Sequence, residues 1–362
     1  MTSNPEALGS TEQYIHGDEA LRLFNKEYRH DPDVNERFMV EDIGVEFPWL
    51  ETSLGDAAVH WARAGENNAR AFKIRGAAVG AEALLNKGYG ALQTASAGNM
   101  GRSVALIGKK HNIPTRIAVP RSAPEPKKEG IRRLWPGGLL EVREVGSTFD
   151  ETLAWTLAHA DGYGFLAPFD DPNVIAGQGT LVDDIIEQID DFDHIVVPVG
   201  GGGLIAGIAK RIGELGMHAL VHGVEAEGSN SLSLSMAASE ITAADRPNKK
   251  YGGSAVKHVG KYALDICLAN KEVIRLHTVP DSEVNQFMEA YWQHRQENQL
   301  EGHVANFEPT SLVPVLTLQA IAKAHPGEVV VGVGTAHNDI LPQAAGASKR
   351  SSLDVMSGTF AR

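Results

Sequence analysis

The sequence of 362 residues contains a single cysteine, Cys267, and its aromatic residues make up 6% of the chain. One cysteine excludes an internal disulfide framework and a cysteine-rich metal cluster. No run approaches the roughly 18 apolar residues that are needed to span a bilayer. The first residues, MTSNPEALGSTEQ, lack the basic and then apolar pattern of a signal peptide. We therefore expect a cytoplasmic protein.

Positive charge is also scarce. Lysine and arginine number 33 against 46 aspartate and glutamate residues, which gives a formal net charge of −13. This balance argues against a protein whose main task is to bind nucleic acid or an anionic membrane, while a local site for one small phosphate stays open. Hydrophobic residue types supply 43% of the chain, enough for the cores of two or three lobes. These features favour an enzyme that acts on a small molecule.

From Val59 onwards, short apolar segments alternate with longer amphipathic ones. The predicted strands cover residues 59–61, 91–94, 116–119, 140–145, 164–167, 194–199, 219–225, 273–279 and 328–333. The predicted helices cover residues 73–85, 100–110, 126–135, 149–160, 174–188, 204–215, 281–297 and 309–324. Strands that alternate with helices of this length indicate βαβ crossovers, so the predicted fold class is α/β with a mostly parallel sheet.

A run of four glycines follows the most apolar predicted strand. In the segment IVVPVGGGGLIAG, the glycines Gly200, Gly201, Gly202 and Gly203 separate this strand from a helix that begins near Leu204. Consecutive glycines raise the entropy of the unfolded chain, so we expect a specific need for bare backbone here. Amides that converge at a helix N-terminus bind phosphate; a plain tight turn is the alternative. The segment is not a dinucleotide fingerprint, because no acidic ribose-binding residue follows at the required spacing.

A lysine at the start of an alanine-rich predicted helix is unusual. Lys73 lies between Phe72 and Ile74, and a helix N-terminus disfavours a cation. Loss of solvation there would lower the pKa of the amine and make it nucleophilic, whereas a surface lysine with an apolar stem is the alternative. A phosphate loop together with a desolvated lysine indicates pyridoxal 5′-phosphate, which carries both an aldehyde and a phosphate.

Two other predicted strands end in polar residues. Small and polar residues at 96–99 follow the strand over 91–94, and they suit either an anion or a simple helix cap. The last predicted strand ends next to Thr335, and His337 beyond it is interpreted as a packing or solvent-exposed histidine. Because ligands bind at the carboxyl ends of parallel strands, we expect these loops to meet at one site.

Five segments of the sequence together resemble fold-type II pyridoxal-phosphate enzymes, closest to threonine/serine dehydratases and serine racemases. The segments are AFKIRGA, TASAGN, FDDPNVIAGQGT, VGGGGLIAG and FEPTS, in the order and spacing of that family between about residues 48 and 338. The resemblance implies a two-lobed architecture like that of the tryptophan synthase β subunit, with mostly parallel sheets and helices on both faces.

The resemblance also implies roles for individual residues. Lys73 would hold the cofactor as a Schiff base and then move the proton at the substrate Cα, and Phe72 beside it would also bind the cofactor. Asn99 would contact the phenolic oxygen of the cofactor, and Thr335 the pyridine nitrogen. The cofactor phosphate would bind to Gly200, Gly201, Gly202, Gly203 and Leu204. The substrate carboxylate would bind to Ser96, Ala97, Gly98 and Asn99.

The implied reaction is a β-elimination. Thr335 stands where the family usually has serine, and a neutral hydroxyl does not stabilise a protonated pyridinium. The ring is then a weaker electron sink, which favours prompt loss of a β-leaving group. The expected substrate is a β-hydroxy amino acid such as L-threonine or L-serine, converted to a 2-oxo acid and ammonia. Three alternatives stay open: β-replacement, elimination from hydroxyaspartate, diaminopropionate or a phosphorylated hydroxy amino acid, and a non-catalytic cofactor-binding protein.

Several positions depart from the family pattern. Met100 replaces the usual histidine after the substrate loop, and His337 lies in an altered pyridine loop. Ala97 stands where a racemase has the serine that serves as its second acid/base, so we expect weak racemase activity. Arg70 and Arg102 are the first candidates for binding a second anionic group of the substrate, and inert surface residues are the favoured alternative. No obligatory metal is expected.

The domain organisation follows from the same resemblance. Residues 1–46 form an N-terminal extension, interpreted as a helix plus an arm that would serve as a dimer arm or a lid over the site. Residues 47–92 and 171–345 form a large pyridoxal-phosphate-binding domain, residues 93–170 a small domain that carries the substrate loop, and residues 346–362 a tail. We expect a homodimer that binds a small amino-acid substrate and has no nucleic-acid or membrane partner.

Overall fold

The computed structural model describes residues 15–43, 47, 55–297 and 307–337. The predicted tail, Asn338 and the first fourteen residues of the predicted extension lie outside these ranges. The described residues form two β-sheets with helices packed around them. None of these helices is long and apolar enough to cross a membrane.

The larger sheet has six strands in the order β1-β2-β10-β7-β8-β9. Strand β1 is antiparallel to β2, and the other pairings are parallel. The central strand β7 is buried along its whole length, which explains the apolar run IVVP that follows its first residue, His194. The strands are β1 Met39–Asp42, β2 Ala58–Arg63, β7 His194–Pro198, β8 Leu220–Ala226, β9 Ile274–Val279 and β10 Val329–Gly334.

The smaller sheet has four parallel strands in the order β5-β4-β3-β6. Its strands are β3 Leu92–Ala95, β4 Thr115–Val119, β5 Leu140–Glu144 and β6 Gly164–Phe165. All four lie in one continuous stretch of the chain. The domain boundaries at residues 93 and 170 stay a prediction.

Twelve α-helices lie in the described ranges. They are α1 Gly17–Glu27, α2 Lys73–Asn86, α3 Asn99–His111, α4 Glu125–Arg132, α5 Phe149–Ala158, α6 Pro172–Ile189, α7 Gly203–Leu215, α8 Ser231–Ala238, α9 Lys261–Ala269, α10 Asp281–Glu297, α11 Pro309–Leu312 and α12 Val315–Ala324. Helix α6 shows how the sequence sets a boundary. The Asp171 carboxylate accepts hydrogen bonds from the amides of Asn173 and Val174, and Pro172 occupies the first helical position.

The structure confirms all nine predicted strands and corrects one predicted helix. The helix predicted over 309–324 is divided into α11 and α12, because Pro314 lacks an amide hydrogen and its ring cannot continue a helix. Strand β1 and helices α8 and α9 were not predicted.

The described part of the N-terminal extension packs against the body of the protein. Phe24 in α1 is fully buried, and α1 lies against α2 and α6. Strand β1 joins the edge of the larger sheet next to β2. Residues 15–43 therefore pack on the body of the protein, and their role as a dimer arm or a lid stays a prediction.

Three helices approach one another at backbone distance. Helix α6 lies between α2 and α7. A Cβ atom on Gly177 of α6 would lie 2.6 Å from the carbonyl oxygen of Arg75 in α2. A Cβ atom on Gly207 of α7 would lie 2.4 Å from the carbonyl oxygen of Ile175 in α6. Only glycine permits such contacts, so α2 and α7 are both held close against α6.

Candidate active site

A single cleft brings together residues from distant parts of the chain. It lies where β3, β7 and β10 end, at the carboxyl ends of parallel strands, as the sequence predicts. Its lining consists of Phe72, Lys73, Asn99, Phe169, Gln178, the segment from Pro198 through the glycine loop to Ile205, Gly253, Glu308, Thr310 and Thr335. The predicted lysine, the predicted phosphate loop and the predicted pyridine contact therefore share one space.

Lys73 is the first residue of α2, and its side chain lies over the ring of Phe72. The Nζ atom is 4.8 Å from the ring centroid and donates a hydrogen bond of 3.3 Å to the carbonyl oxygen of Pro168. Burial lowers the pKa of Lys73 to about 8, while the negative charge of Glu308 opposes this shift. The amine is thus partly neutral near pH 8, which a nucleophile or proton acceptor requires.

The glycine loop packs so closely that it has no room for side chains. A Cβ atom on Gly201 would lie 2.4 Å from the Phe169 ring, and one on Gly203 would lie 2.6 Å from the carbonyl oxygen of Phe169. Gly202 has a φ of +86°, in the left-handed region that favours glycine. The loop leads directly into α7, so its bare amides lie at the N-terminus of a thirteen-residue helix.

Asn99 and Glu308 meet across the cleft, although 209 positions separate them in the sequence. The Asn99 Nδ2 atom donates a hydrogen bond of 2.8 Å to Glu308 Oε2. Glu308 therefore both orients the amide predicted to contact the cofactor and acts on the charge of Lys73. Glu308 belongs to the FEPTS segment, but the sequence alone indicates no role for it. Nor does it indicate one for Phe169, Gln178 or Thr310, which line the same cleft.

Thr335 is buried immediately beyond β10, with its hydroxyl in a small hydrogen-bond network. Its Oγ1 lies 3.1 Å from Ser311 Oγ, and Ser311 Oγ accepts a hydrogen bond of 3.0 Å from the Thr335 amide. Ser311 Oγ also lies 3.1 Å from the carbonyl oxygen of Ala336, to which it can donate its proton. The network is neutral and holds the Thr335 side chain in the cleft without a carboxylate.

In the predicted substrate loop, Asn99 lines the cleft. Ser96, Ala97 and Gly98 do not line it over the described residues. These three residues lie partly buried at the entrance to α3, and Ser96 Oγ accepts a hydrogen bond of 3.2 Å from the Gly98 amide. This contact tightens the turn before the helix. Their binding of the substrate carboxylate stays a prediction.

The candidate residues for a second anionic group lie elsewhere in the described part of the chain. Arg102 turns towards the backbone, where its Nε donates a hydrogen bond of 3.1 Å to the carbonyl oxygen of Ala69. Arg70 has a φ of +59° in the turn before α2. Neither side chain lines the cleft over the described residues.

His337 is held by an acidic residue beside the cleft. Its Nε2 lies 2.9 Å from Glu66 Oε1, and its ring stacks on Phe307. Burial raises the pKa of Glu66, but hydrogen bonding to His337 and the positive charge of Arg63 outweigh burial and lower it to about 2. These contacts agree with the interpretation of His337 as a packing residue.

The cleft fits the cofactor that the sequence indicates. Pyridoxal phosphate needs an amine for its aldehyde, an anion site for its phosphate and a polar group for its ring nitrogen. Lys73, the bare amides of the glycine loop and the Thr335 hydroxyl supply these three groups in one cleft. Asn99 and Leu204 complete the set that would hold the cofactor.

Comparison with known proteins gives the same assignment. The family model described as "Pyridoxal-phosphate dependent enzyme" matches residues 45–335. The chain is 32% identical over 280 residues to the beta-hydroxyaspartate dehydratase of Paracoccus denitrificans, covering 75% of this chain and 84% of that protein. It is 30% identical over 307 residues to a biosynthetic L-threonine dehydratase of Corynebacterium glutamicum, covering 81% of this chain and 67% of the relative. A chloroplastic biosynthetic threonine dehydratase of Solanum lycopersicum is 37% identical over 238 residues, 63% of this chain and 39% of the relative.

The solved structures show the same fold. The processed form of threonine deaminase isoform 2 from Solanum lycopersicum superposes with a TM-score of 0.72 and 26% identity, over 92% of this chain and 91% of that one. Maize serine racemase superposes with a TM-score of 0.73 at 22% identity, over 91% of this chain and 95% of that one, and this likeness shows the fold alone. The chain belongs to the family of pyridoxal-phosphate dependent enzymes with the fold-type II architecture, and its cofactor is pyridoxal 5′-phosphate.

Proposed function

We propose that the protein eliminates the β-hydroxyl group of a β-hydroxy amino acid and releases a 2-oxo acid and ammonia. The observation that carries the proposal is the position of Lys73, whose amine has a pKa near 8 in the same cleft as the glycine loop and Thr335. About half of such an amine is neutral near pH 8, and the neutral form can accept the proton at the substrate Cα.

Different residues of the cleft would perform different parts of the reaction. When bound, pyridoxal phosphate supplies an electron-withdrawing ring that makes the Cα proton of an attached amino acid acidic. Lys73 accepts that proton, and the resulting charge is held near Glu308. Asn99, fixed by its hydrogen bond to Glu308, would orient the cofactor at its phenolic oxygen. The neutral Thr335–Ser311 pair offers no carboxylate to the ring nitrogen, which favours early departure of the β-substituent.

The proposed substrates are L-threonine, L-serine and 3-hydroxyaspartate. Relatives named as threonine dehydratases and as a beta-hydroxyaspartate dehydratase support this class. All three candidates share an amino group, a Cα proton and a β-hydroxyl, and they differ only beyond Cβ. β-Replacement on a related amino acid is the second candidate, because it uses the same Cα deprotonation.

The experiment combines an absorbance scan with product analysis. Purified protein is loaded with pyridoxal phosphate and scanned for the Schiff-base absorbance band while each amino acid is added, and 2-oxo acid and ammonia are assayed in parallel. Lys73→Ala should lose the band and the activity. Lys87→Ala, which changes an exposed lysine at the other end of the same helix, is the matched control and should keep both.

Each outcome bears on a different part of the proposal. Oxo acid formed from one or more of the three substrates supports the elimination. A band that shifts with amino acids without oxo acid formation refutes it, and a product that requires an added nucleophile establishes β-replacement instead. A band that persists in Lys73→Ala refutes the role of Lys73. The homodimer and the cytoplasmic location stay predictions, and sedimentation of the loaded protein tests the first.

A further inference from the structure

Four histidines form a continuous row that starts at the end of the larger sheet away from the cleft and runs diagonally across its strands. His194 opens β7, His222 lies in β8 and His277 in β9. Val196 pairs with His222 and Val224 pairs with His277, so each histidine lies diagonally across from the next. His325 follows α12, close to the start of β10, and its ring centroid lies 4.3 Å from that of His194.

A tight turn places two of the candidate ligands side by side. The sequence His325-Pro-Gly-Glu328 connects α12 to β10, Gly327 has a φ of +84°, and the Glu328 amide donates to the His325 carbonyl oxygen at 3.2 Å. Proline and then glycine at the central positions favour a type II turn. This turn fixes the two side chains relative to each other, with His325 Nδ1 lying 3.2 Å from Glu328 Oε2.

His194 completes a set of three convergent ligand atoms. Its side chain is 3% exposed, and its Nε2 lies 2.5 Å from the same Glu328 oxygen. The nitrogen or oxygen atoms offered by His194, His325 and Glu328 all lie within 4.8 Å of one another. Bonds of 2.0–2.1 Å at tetrahedral angles separate neighbouring ligand atoms by about 3.3 Å. Small side-chain rotations therefore suffice to bring the three atoms around one ion.

The remaining histidines can hold His194 in the tautomer that a metal requires. His194 Nδ1 lies 2.9 Å from His222 Nε2, and His222 Nδ1 lies 2.9 Å from His277 Nε2. When Nε2 of His194 binds a metal, its Nδ1–H donates to His222, and His222 in turn donates to His277. Metal-ligating histidines commonly donate their second ring N–H in this way, which orients the ring.

We propose that His194, His325 and Glu328 form a binding site for a transition-metal ion of the Zn²⁺ class at the amino ends of strands β7 and β10. His222 would orient the His194 ring. Two imidazole nitrogens and one carboxylate oxygen are typical zinc ligands, and solvent supplies the fourth. The side chains of His325 and Glu328 are 38% and 43% exposed, so an ion can enter from solvent. The ion would connect β7 to the turn before β10 and thereby stabilise the sheet beneath the cleft.

The test measures metal binding directly in the cofactor-loaded protein. After removal of metals with a chelator, Zn²⁺ is titrated by calorimetry and Co²⁺ by visible absorbance. We expect one Zn²⁺ per chain with a Kd of about 1 µM or below, and visible Co²⁺ bands of a tetrahedral site. At a free Zn²⁺ concentration of 100 times Kd, the Tm should rise by about 4 °C.

Variants on the exposed turn separate the site from adventitious binding. His325→Gln and Glu328→Gln should each weaken Zn²⁺ binding at least about 100-fold, and His222→Gln should weaken it by about 10–100-fold. His30→Gln, an exposed histidine outside the row, is the matched control and should bind Zn²⁺ as the wild type does. Far-UV circular dichroism in chelator verifies that each variant is folded.

Two results would overturn the proposal. The first is the absence of stoichiometric Zn²⁺ binding to the wild-type protein. The second is binding that His325→Gln and Glu328→Gln leave unchanged, which would place the ion elsewhere. In either case the row is a hydrogen-bonded histidine–carboxylate network without a metal.

Discussion

Arg75 is the buried charge on which the position of α2 depends, and its removal gives a measurable prediction. The side chain has no exposed area, although it lies only two residues after Lys73. Its Nη2 atom lies 3.1 Å from Glu36 Oε1 and also contacts Asp184. Its Nη1 donates a hydrogen bond of 3.2 Å to Thr180 Oγ1. The contacts connect α2 to the N-terminal segment and to α6.

Substitution Arg75→Met keeps most of the volume and removes the charge. The carboxylates of Glu36 and Asp184 are 1% and 2% exposed, and they would lose their shared guanidinium. Removal of one partner from a buried ion pair costs about 3–5 kcal/mol of unfolding free energy. An unfolding entropy of about 2.1 cal/mol/K per residue gives roughly 0.76 kcal/mol/K for this chain. The Tm should therefore fall by about 4–7 °C.

The assay is a thermal melt of the cofactor-loaded protein at a fixed scan rate. Arg143→Met, which removes an exposed ion pair with Glu141, is the control and should change the Tm by about 1 °C or less. Asp184 keeps its contact with Arg29, so addition of Glu36→Gln to Arg75→Met removes the stranded carboxylate and should recover part of the loss. A melt of Arg75→Met within about 1 °C of the wild type would refute the reasoning.

The pH dependence of the same variant has a definite sign. Burial raises the pKa of Glu36, and the charge of Arg75 opposes that rise. Without the guanidinium, the pKa rises further, so the folded variant binds a proton at a pH where the unfolded chain does not. The stability deficit should then become smaller as the pH falls from 7.5 towards 5. A deficit that stays constant over this range would contradict the assignment to a stranded carboxylate.

Four further predictions concern the cleft and the predicted substrate loop. Gly203→Ala places a Cβ atom 2.6 Å from the carbonyl oxygen of Phe169, so fluorescence titration should show cofactor affinity reduced at least about tenfold, or ~1.4 kcal/mol. Cofactor loading of the apoprotein requires the neutral amine of Lys73, so its rate, followed by stopped-flow absorbance, should rise with pH to a midpoint near 8. Glu308→Gln removes the charge that raises this pKa and should move the midpoint to lower pH; an unchanged midpoint would contradict the coupling. The Ala97 side chain has no acidic group that could transfer a proton. Chiral chromatography should therefore show that L-serine is eliminated much faster than it is racemised.

The strands could be predicted from the sequence because most of them are short apolar runs buried in parallel sheets. Strand β1 is the exception, since MVED is an edge segment with both ends exposed and carries two acidic residues in four. Helix α8 has the sequence SLSLSMAA, whose alternation of serine and leucine favours a strand over a helix. Its helical conformation depends instead on the Glu225 carboxylate, which accepts hydrogen bonds from the amides of Leu232 and Ser233 in its first turn.

The chemistry of the candidate site was visible in the sequence where a residue violated a local rule. Lys73 at a helix N-terminus and four consecutive glycines are such violations. Glu308 violates none, and its hydrogen bond to Asn99 exists only because the fold brings two remote segments together. The ion pairs of Arg75 are likewise a property of tertiary packing. Local sequence therefore indicates which groups are unusual, while their charge partners require the structure.

The glycine contacts that join α2, α6 and α7 have a consequence for how the cofactor can be bound. Gly177 and Gly207 allow backbone to touch backbone, so no side chain separates the helices at these two contacts. The distance between the start of α2, which carries Lys73, and the amides at the N-terminus of α7 is then fixed by the packing of the three helices. A ligand binds only if the distance between its aldehyde and its phosphate matches this fixed distance. The positions of these helices therefore select among aldehydes. The side of the cleft formed by the smaller sheet is the part that can adjust to different amino acids.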